Sequence, residues 1–245
     1  MTLEVPPGTV VYDTVESLAH SVAAWVCRQA QASVAGPFAI CLSGGSTPRQ
    51  LYAALAATGA RHGFPWAQAH WFWGDERFVP PDDAASNYRM ARQAMLARVA
   101  IPAANIHAIP TLGISARDAA ANYEATLRQF YGGRQLTSRQ PLFDITLLGI
   151  GEDGHTASLF PNQASLDERG RWVLDVMSPA GAPRITLTYP PLESSRHIVF
   201  LAAGQRKQGI LARVWSGDRS LPAARVNSSG RVHWFLDRAA DPAKG

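Results

Sequence analysis

With 245 residues, 47% of them hydrophobic, the chain can bury a full core, and one α/β domain spanning 1–245 is expected. A net charge of +4 sits on scattered arginines with no basic run interleaved with aromatics, which argues against nucleic acid as a partner and suits anionic metabolites. No stretch has the uninterrupted apolar length of a membrane span, and no cationic segment leads into an apolar run at the N-terminus, so a cytoplasmic protein with no membrane partner is expected.

Val10 to Tyr12 predicts an edge strand. Asp13 with Glu16 reads as a capping box ahead of Val15, Leu18, Val22 and Val26 at helical spacing. Cys27 falls inside that helical pattern and Cys41 inside an apolar strand, so both read as small buried hydrophobes in a reducing compartment, with no disulfide or zinc framework.

Phe38 to Leu42 is an apolar strand that leaves into Ser43, Gly44, Gly45, Ser46, Thr47 and Pro48, followed by an amphipathic helix carrying Leu51, Tyr52 and Leu55. Strand, glycines with hydroxyls, then helix describes an anion cradle, in which backbone N–H groups, hydroxyls and the helix dipole face a phosphate. No Gly-Lys-Ser/Thr follows, so a nucleotide triphosphate is not implied. A plain tight turn is the alternative.

His70 to Trp73 is a third apolar strand, ending in Gly74 and the charged cluster Asp75-Glu76-Arg77. Acids and an arginine beside aromatics are costly to bury unpaired, so ion pairs at a cleft rim are expected, with Arg77 free to meet a substrate oxygen or to serve a purely structural knot. Ser86 and Asn87 precede a helix bearing Met90, Ala94, Leu96 and Val99, closed by Pro102. Ser115 with Asp118 caps another, with Ala119, Tyr123, Leu127 and Phe130 in phase and Gly132-Gly133 at its end.

The stretch Phe143 to Pro161, FDITLLGIGEDGHTASLFP, is the centre of the chain. A buried strand over Ile145 to Leu148 breaks into Gly149, Gly151 and Gly154, a turn that presents Asp153 and His155. A short helix over Thr156 to Phe160, stopped by Pro161, would put His155 near a helix N-terminus that favours the neutral imidazole, a general base. A histidine that merely caps the turn is the alternative. Gly149 to Gly154 also matches G-x-G-x-x-G, with Asp175 at a suitable distance, but Pro161, Asn162 and Gly170 interrupt the long helix that a dinucleotide fold needs.

Trp172 to Met177 and Arg184 to Tyr189 read as strands, Pro190 and Pro191 end the second, and His197 to Ala203 is a further buried strand. Gly204 then leads through Gln205, Arg206 and Lys207 into a helix with Ile210, Leu211 and Val214, and Val232 to Leu236 is the last strand before a tail. Lys207 is one of only two lysines among 23 basic residues, the other being Lys244, so arginine is the default cation here and Lys207 is the more specific requirement. Alternating strands and helices predict a doubly wound, mainly parallel sheet with helices on both faces and ligands outside the carboxyl ends of its strands. The exits at Ser43–Thr47, Asp75–Arg77, Asp153–His155 and Lys207 would then share one cleft.

The motifs SGGSTP, GDERFVP with DDAASNY, GIGEDGHTASLFP, PRITLTYPPLE and GQRKQGIL occur in this order over nearly the whole chain, and together they resemble the 6-phosphogluconolactonase family. The related glucosamine-6-phosphate deaminases look similar around Asp-Gly-His but continue with Ile-Ala-Phe-Asn-Glu-Pro where this chain has Thr156 to Pro161. The resemblance implies a deaminase/isomerase-like Rossmann-type fold and hydrolysis of 6-phospho-D-glucono-1,5-lactone to 6-phosphogluconate, with no metal or organic cofactor; the sequence does not show the oligomeric state, and a monomer is favoured. It also implies His155 as the group that activates water, Asp153 as an aid to positioning that water, and Arg77 as the partner of the lactone or its oxyanion. Ser43, Gly44, Gly45, Ser46, Thr47, Arg184 and Lys207 would hold the phosphate. Glu193 departs from the asparagine-like residue expected in the Pro-Pro-Leu-x segment. An amino-sugar-phosphate deaminase or isomerase and a catalytically silent sugar-phosphate sensor are the competing functions.

Overall fold

The computed structural model describes residues 3–33, 36–228 and 230–244. Six all-parallel strands form the main sheet: β1 (Thr9–Tyr12), β2 (Phe38–Leu42), β3 (Ala69–Trp73), β5 (Phe143–Leu148), β8 (Ser195–Ala202) and β9 (Arg231–Asp237), in the order β1-β9-β8-β5-β2-β3. Apolar continuity explains the middle of this order, since every residue of β2 is buried and β5 exposes nothing beyond a half-buried Asp144.

The winding reverses at β2 and β5. Helices α1 (Val15–Ala32) and α2 (Ser46–Thr58) carry the chain in one direction across the sheet, whereas α6 (Gln208–Trp215), between β8 and β9, carries it in the other. Because parallel crossovers are right-handed, opposite directions of travel put these helices on opposite faces, as a doubly wound sheet requires. The carboxyl ends of β2 and β5 form the switch point, and Ser43 and Gly149 meet there: a Cβ on Gly149 would lie 3.7 Å from Ser43 Oγ.

A second, antiparallel sheet has the order β4-β7-β6, with β4 (Asp75–Arg77), β6 (Val173–Met177) and β7 (Pro183–Leu187). Gly74 joins the two sheets, donating its N–H to Leu42 O and accepting from Leu187 N–H. Helix α4 (Ala116–Tyr131) braces the second sheet: Glu124 accepts the N–H groups of Trp172 and Val173, and the Arg128 guanidinium lies 4.3 Å from the Trp172 ring centre. Trp71, Phe72 and Trp73 of β3 are fully buried, each worth roughly 2–3 kcal/mol of transfer free energy, which anchors the strand from which β4 springs.

Several expectations need correction. The first helix is capped by Thr14 with Ser17, not by Asp13 with Glu16, because Thr14 Oγ1 accepts Ser17 N–H while Asp13 pairs with Arg238. The helix after Ser86 is α3 (Asn87–Ala91), which widens into a π-turn over Arg92–Leu96. Residues 75–77 form a strand rather than a rim loop, and the segment read as tail holds the buried Ala240 and Asp241 and a 3₁₀ turn, Pro242–Lys244. The helix expected over Thr156 to Phe160 is absent. Ala157 at φ 48° and Asn162 at φ 61° turn the chain too sharply, and Thr156 and Leu159 bridge across that turn.

Candidate functional site

The exit of β2 is built to expose backbone donors. Tyr52, nearly two turns into α2, donates its hydroxyl to Ser43 O at 2.7 Å and accepts Ser43 N–H at 2.9 Å, which fixes the start of the loop. Gly45 stands at the N-cap with φ 108°, a conformation open to glycine, and offers no side chain to cap the helix. The N–H groups of Gly44, Gly45, Ser46 and Thr47 therefore have no partner among the described residues, and they stand at the positive end of the helix dipole. Gly44 is demanded by packing, since a Cβ there would fall 2.1 Å from Asn87 Oδ1.

The acids of β4 are buried, and hydrogen bonds rather than ion pairs hold them. Glu76, 2% exposed, accepts the N–H groups of Arg77, Asn87 and Tyr88, each at 2.7 Å, and the Ser86 hydroxyl at 3.1 Å. Burial pushes its carboxyl up, while those three N–H groups work against the shift. Asp75 accepts the Ser158 hydroxyl at 2.7 Å. Backbone donors suit Glu76 because the first turn of α3 lies against it, so the free N–H groups of Asn87 and Tyr88 meet its carboxylate without desolvating a second charge. Arg77 reaches Ala85 O at 2.5 Å through one guanidinium nitrogen, and across the ladder it faces Arg184.

After β5, the turn at Gly151 to Gly154 brings Asp153 Oδ1 to 2.6 Å from His155 Nδ1 and 3.1 Å from His155 N–H. Burial alone would raise the Asp153 carboxyl, but the hydrogen bonds and charge of His155 outweigh it and hold Asp153 below the usual carboxylate range. An ionised Asp153 accepts from an N–H on Nδ1, so in the neutral imidazole this contact favours the tautomer with its lone pair on Nε2, which has no partner among the described residues. This arrangement replaces the expected helix N-terminus: a carboxylate, not a dipole, orients the imidazole. Thr156 Oγ1 donates to Gly149 O, and Ser158 N–H donates to Thr186 Oγ1, which ties the turn to the second sheet.

One cavity of about 240 Å³ collects Ser43, Gly44, Gly45, Arg77, His155 and Lys207, together with Asp75, Asn87, the backbone of 149–151 and Ala157. Lys207, in the 3₁₀ turn Gln205–Lys207 after β8, donates to Ile150 O at 2.7 Å. Four strand exits converge on this space, as their shared pattern predicts. Four of the candidate residues lie off its wall. Ser46 lines a neighbouring groove, Thr47 is half-buried beside it, Asp153 stands behind His155, and Arg184 lies across from Arg77. Asn87 was not singled out as a site residue; it donates to Asp75 O at 2.9 Å and touches the anion loop, and its signal was its place inside the DDAASNY motif. Glu193 is remote from the cavity and accepts Asn227 N–H at 2.8 Å.

Residues 13–234 match the family model described as glucosamine-6-phosphate isomerases/6-phosphogluconolactonase. The chain is 45% identical over 208 residues to a 6-phosphogluconolactonase of Nostoc sp., covering 84% of each chain. It is 39% identical over 246 residues to the Homo sapiens 6-phosphogluconolactonase, covering 96% of this chain and 93% of that one. The crystal structure of 6-phosphogluconolactonase from Thermotoga maritima superposes with a TM-score of 0.80 at 29% identity, over 94% of this chain and 100% of that one. With the motif order, the doubly wound sheet and the cleft at its switch point all in agreement, the chain belongs to the glucosamine-6-phosphate isomerase/6-phosphogluconolactonase family.

Proposed function

We propose that this chain hydrolyses 6-phospho-D-glucono-1,5-lactone to 6-phospho-D-gluconate, the lactone-opening step of the oxidative pentose phosphate pathway, as its relatives' names indicate for them. The observation that carries the chemistry is the Asp153–His155 pair at 2.6 Å beside the open anion loop. Asp153 keeps the proton on Nδ1, so Nε2 takes a proton from water as that water attacks the lactone carbonyl carbon. Negative charge then gathers on the carbonyl oxygen, where Arg77 stabilises it, and the tetrahedral centre collapses by releasing the ring oxygen, which takes up the proton from His155. A reactive lactone needs no covalent nucleophile on the protein, and the chain has no G-x-S-x-G elbow.

The unpartnered N–H groups of 44–47, with Lys207 and Arg184, hold the phosphate. Binding energy from this non-reacting group fixes the carbonyl against His155, so its loss lowers turnover as well as affinity. The reading treats the chain as one catalytic unit that works as a cytoplasmic monomer. The two cysteines are free and buried, which suits a reducing compartment. The test is to generate the lactone in situ and follow its disappearance above spontaneous hydrolysis. Wild type turns it over, and His155→Ala loses about 10²–10⁴-fold in rate with its fold intact. Turnover that survives the substitution places the base elsewhere; no turnover by the wild type rejects the reaction.

A further inference from the structure

A second, larger space lies beside the catalytic cavity. Helix α2 and the α3–π segment face each other across a groove of about 810 Å³, within the range of small-molecule sites. Arg49 projects into it from α2, and Arg89 and Arg98 from the opposite wall. No acidic residue lines the groove, and none of these three guanidinium groups has an ion-pair partner among the described residues. Three like charges facing one space repel one another, and an anion between them removes that cost.

Arg98 follows Arg89 by nine residues, which in an unbroken α-helix is about two and a half turns and would put the two on opposite sides. The helix does not run that far: the bond from Ala97 N–H to Arg92 O, at 3.0 Å, closes a wider turn, and Arg98 lies past it in a turn closed by its own N–H on Met95 O at 2.8 Å, so that both arginines line one groove. Such wide turns are rare and occur frequently at functional sites. The floor is cut low by the small side chains of Ala53 and Ala94.

We propose that this groove is a second anion site, for a phosphorylated ligand carrying two or more negative charges, distinct from the place where the substrate phosphate is read to bind. Guanidinium forks match phosphate oxygens in pairs, and one phosphate group cannot engage three such forks fully. The groove adjoins the catalytic cavity where Gly45 is followed by Ser46 and where Ala84 precedes Ala85, the residue that holds Arg77. Its ligand therefore bears on the anion loop and on Arg77, the two features through which the neighbouring site grips substrate.

Inorganic pyrophosphate is the probe, titrated calorimetrically at low ionic strength into wild type, Arg49→Gln/Arg98→Gln and Lys207→Ala. Both arginines are exposed, and lactone turnover with circular dichroism confirms that the double variant is folded. The expected result is binding at two sites in wild type, of which the double variant loses one, weakened about tenfold or more, and Lys207→Ala loses the other. Loss of the same single site in both variants overturns a separate site, as does undiminished binding at both sites in the double variant. Absence of pyrophosphate binding to wild type also overturns it; retention of a short DNA duplex in that case makes the groove a surface for a polyanionic polymer. ADP and glucose 6-phosphate, titrated next, distinguish a nucleotide from a sugar phosphate as the source. Because binding is read directly, failure of the lactonase assignment, seen only in turnover, is a separate result.

Discussion

Arg77 on β4 and Arg184 on β7 stand directly opposite each other across an antiparallel ladder, two cations where opposite charges are the stable choice. Burial lowers the pKa of Arg184, and the charge of Arg77 lowers it further, while Asp75 and Glu76 oppose both. Paired guanidinium groups beside an anion cavity are costly for stability and useful for binding. Arg184→Gln is therefore expected to raise stability by about 0.2–1 kcal/mol while weakening turnover of the phosphorylated lactone relative to unphosphorylated gluconolactone. Thermal denaturation and the ratio of the two kcat/KM values check it; a less stable protein with an unchanged ratio contradicts it.

Asp153 acts through His155. Asp153→Asn keeps the shape but puts an amide opposite Nδ1, which no longer favours the tautomer with its lone pair on Nε2. A loss of about 10²-fold in kcat with little change in KM is expected, smaller than that of His155→Ala. An unchanged kcat would show that the contact does not set the base.

Gly151 offers a steric probe of the same pair. A Cβ there would lie 2.1 Å from His155 Nδ1 and 2.4 Å from Asp153 Oδ1, although the backbone is not in a conformation reserved for glycine. Gly151→Ala is expected to push the imidazole aside and cost about 10²-fold or more in kcat, since displacement of an ångström is enough. Both side chains are partly exposed at this turn, His155 at 35% and Asp153 at 44%, so the melting temperature should change little. Full activity would mean that the base works in another position.

Two histidine pairs are expected to weaken the fold in acid. His70 Nδ1 lies 3.0 Å from His107 Nε2, and His197 Nδ1 lies 3.1 Å from His233 Nε2. Burial lowers all four below the ordinary value, with the partner's charge adding to the effect in His107, which falls to about 4, and in His233. The folded state thus binds fewer protons than the unfolded chain between about pH 6.5 and the lowered values, so stability is fully present above that window and declines as pH falls through it. Melting temperatures from pH 7.5 to 4.5 should drop, and His107→Gln should flatten the drop. Equal slopes for variant and wild type would assign the acid sensitivity to other groups.

Much of this protein was legible in order along the chain. Helix α4, from Ser115 at its cap to Gly132 in the left-handed conformation at its end, lies where the periodicity put it, because cap, repeat and stop are local signals. The strands β2, β5 and β8 were equally plain, since buried parallel strands read as continuous apolar runs. Glycine after each exit then identified the ends on which ligand groups gather.

What the local pattern could not decide was where non-local partners would override it. Thr156 to Phe160 have letters compatible with a helical turn, yet Thr156 bonds to Gly149, and Ser158 to Asp75 and Thr186, and these contacts across three strands hold the turn against a helix. Glu76 reads as a rim charge until α3 supplies it with backbone donors from a segment eleven and twelve residues away. The motif order itself determined the family and singled out the histidine and the glycine-rich loop as candidates, because motifs are set by residue identity at fixed spacing. Only the tertiary structure decided that Asp153 lies against the imidazole, that Arg77 faces Arg184, and that three arginines from α2, α3 and the turn after the π segment line one groove, because each depends on which distant backbone lies alongside.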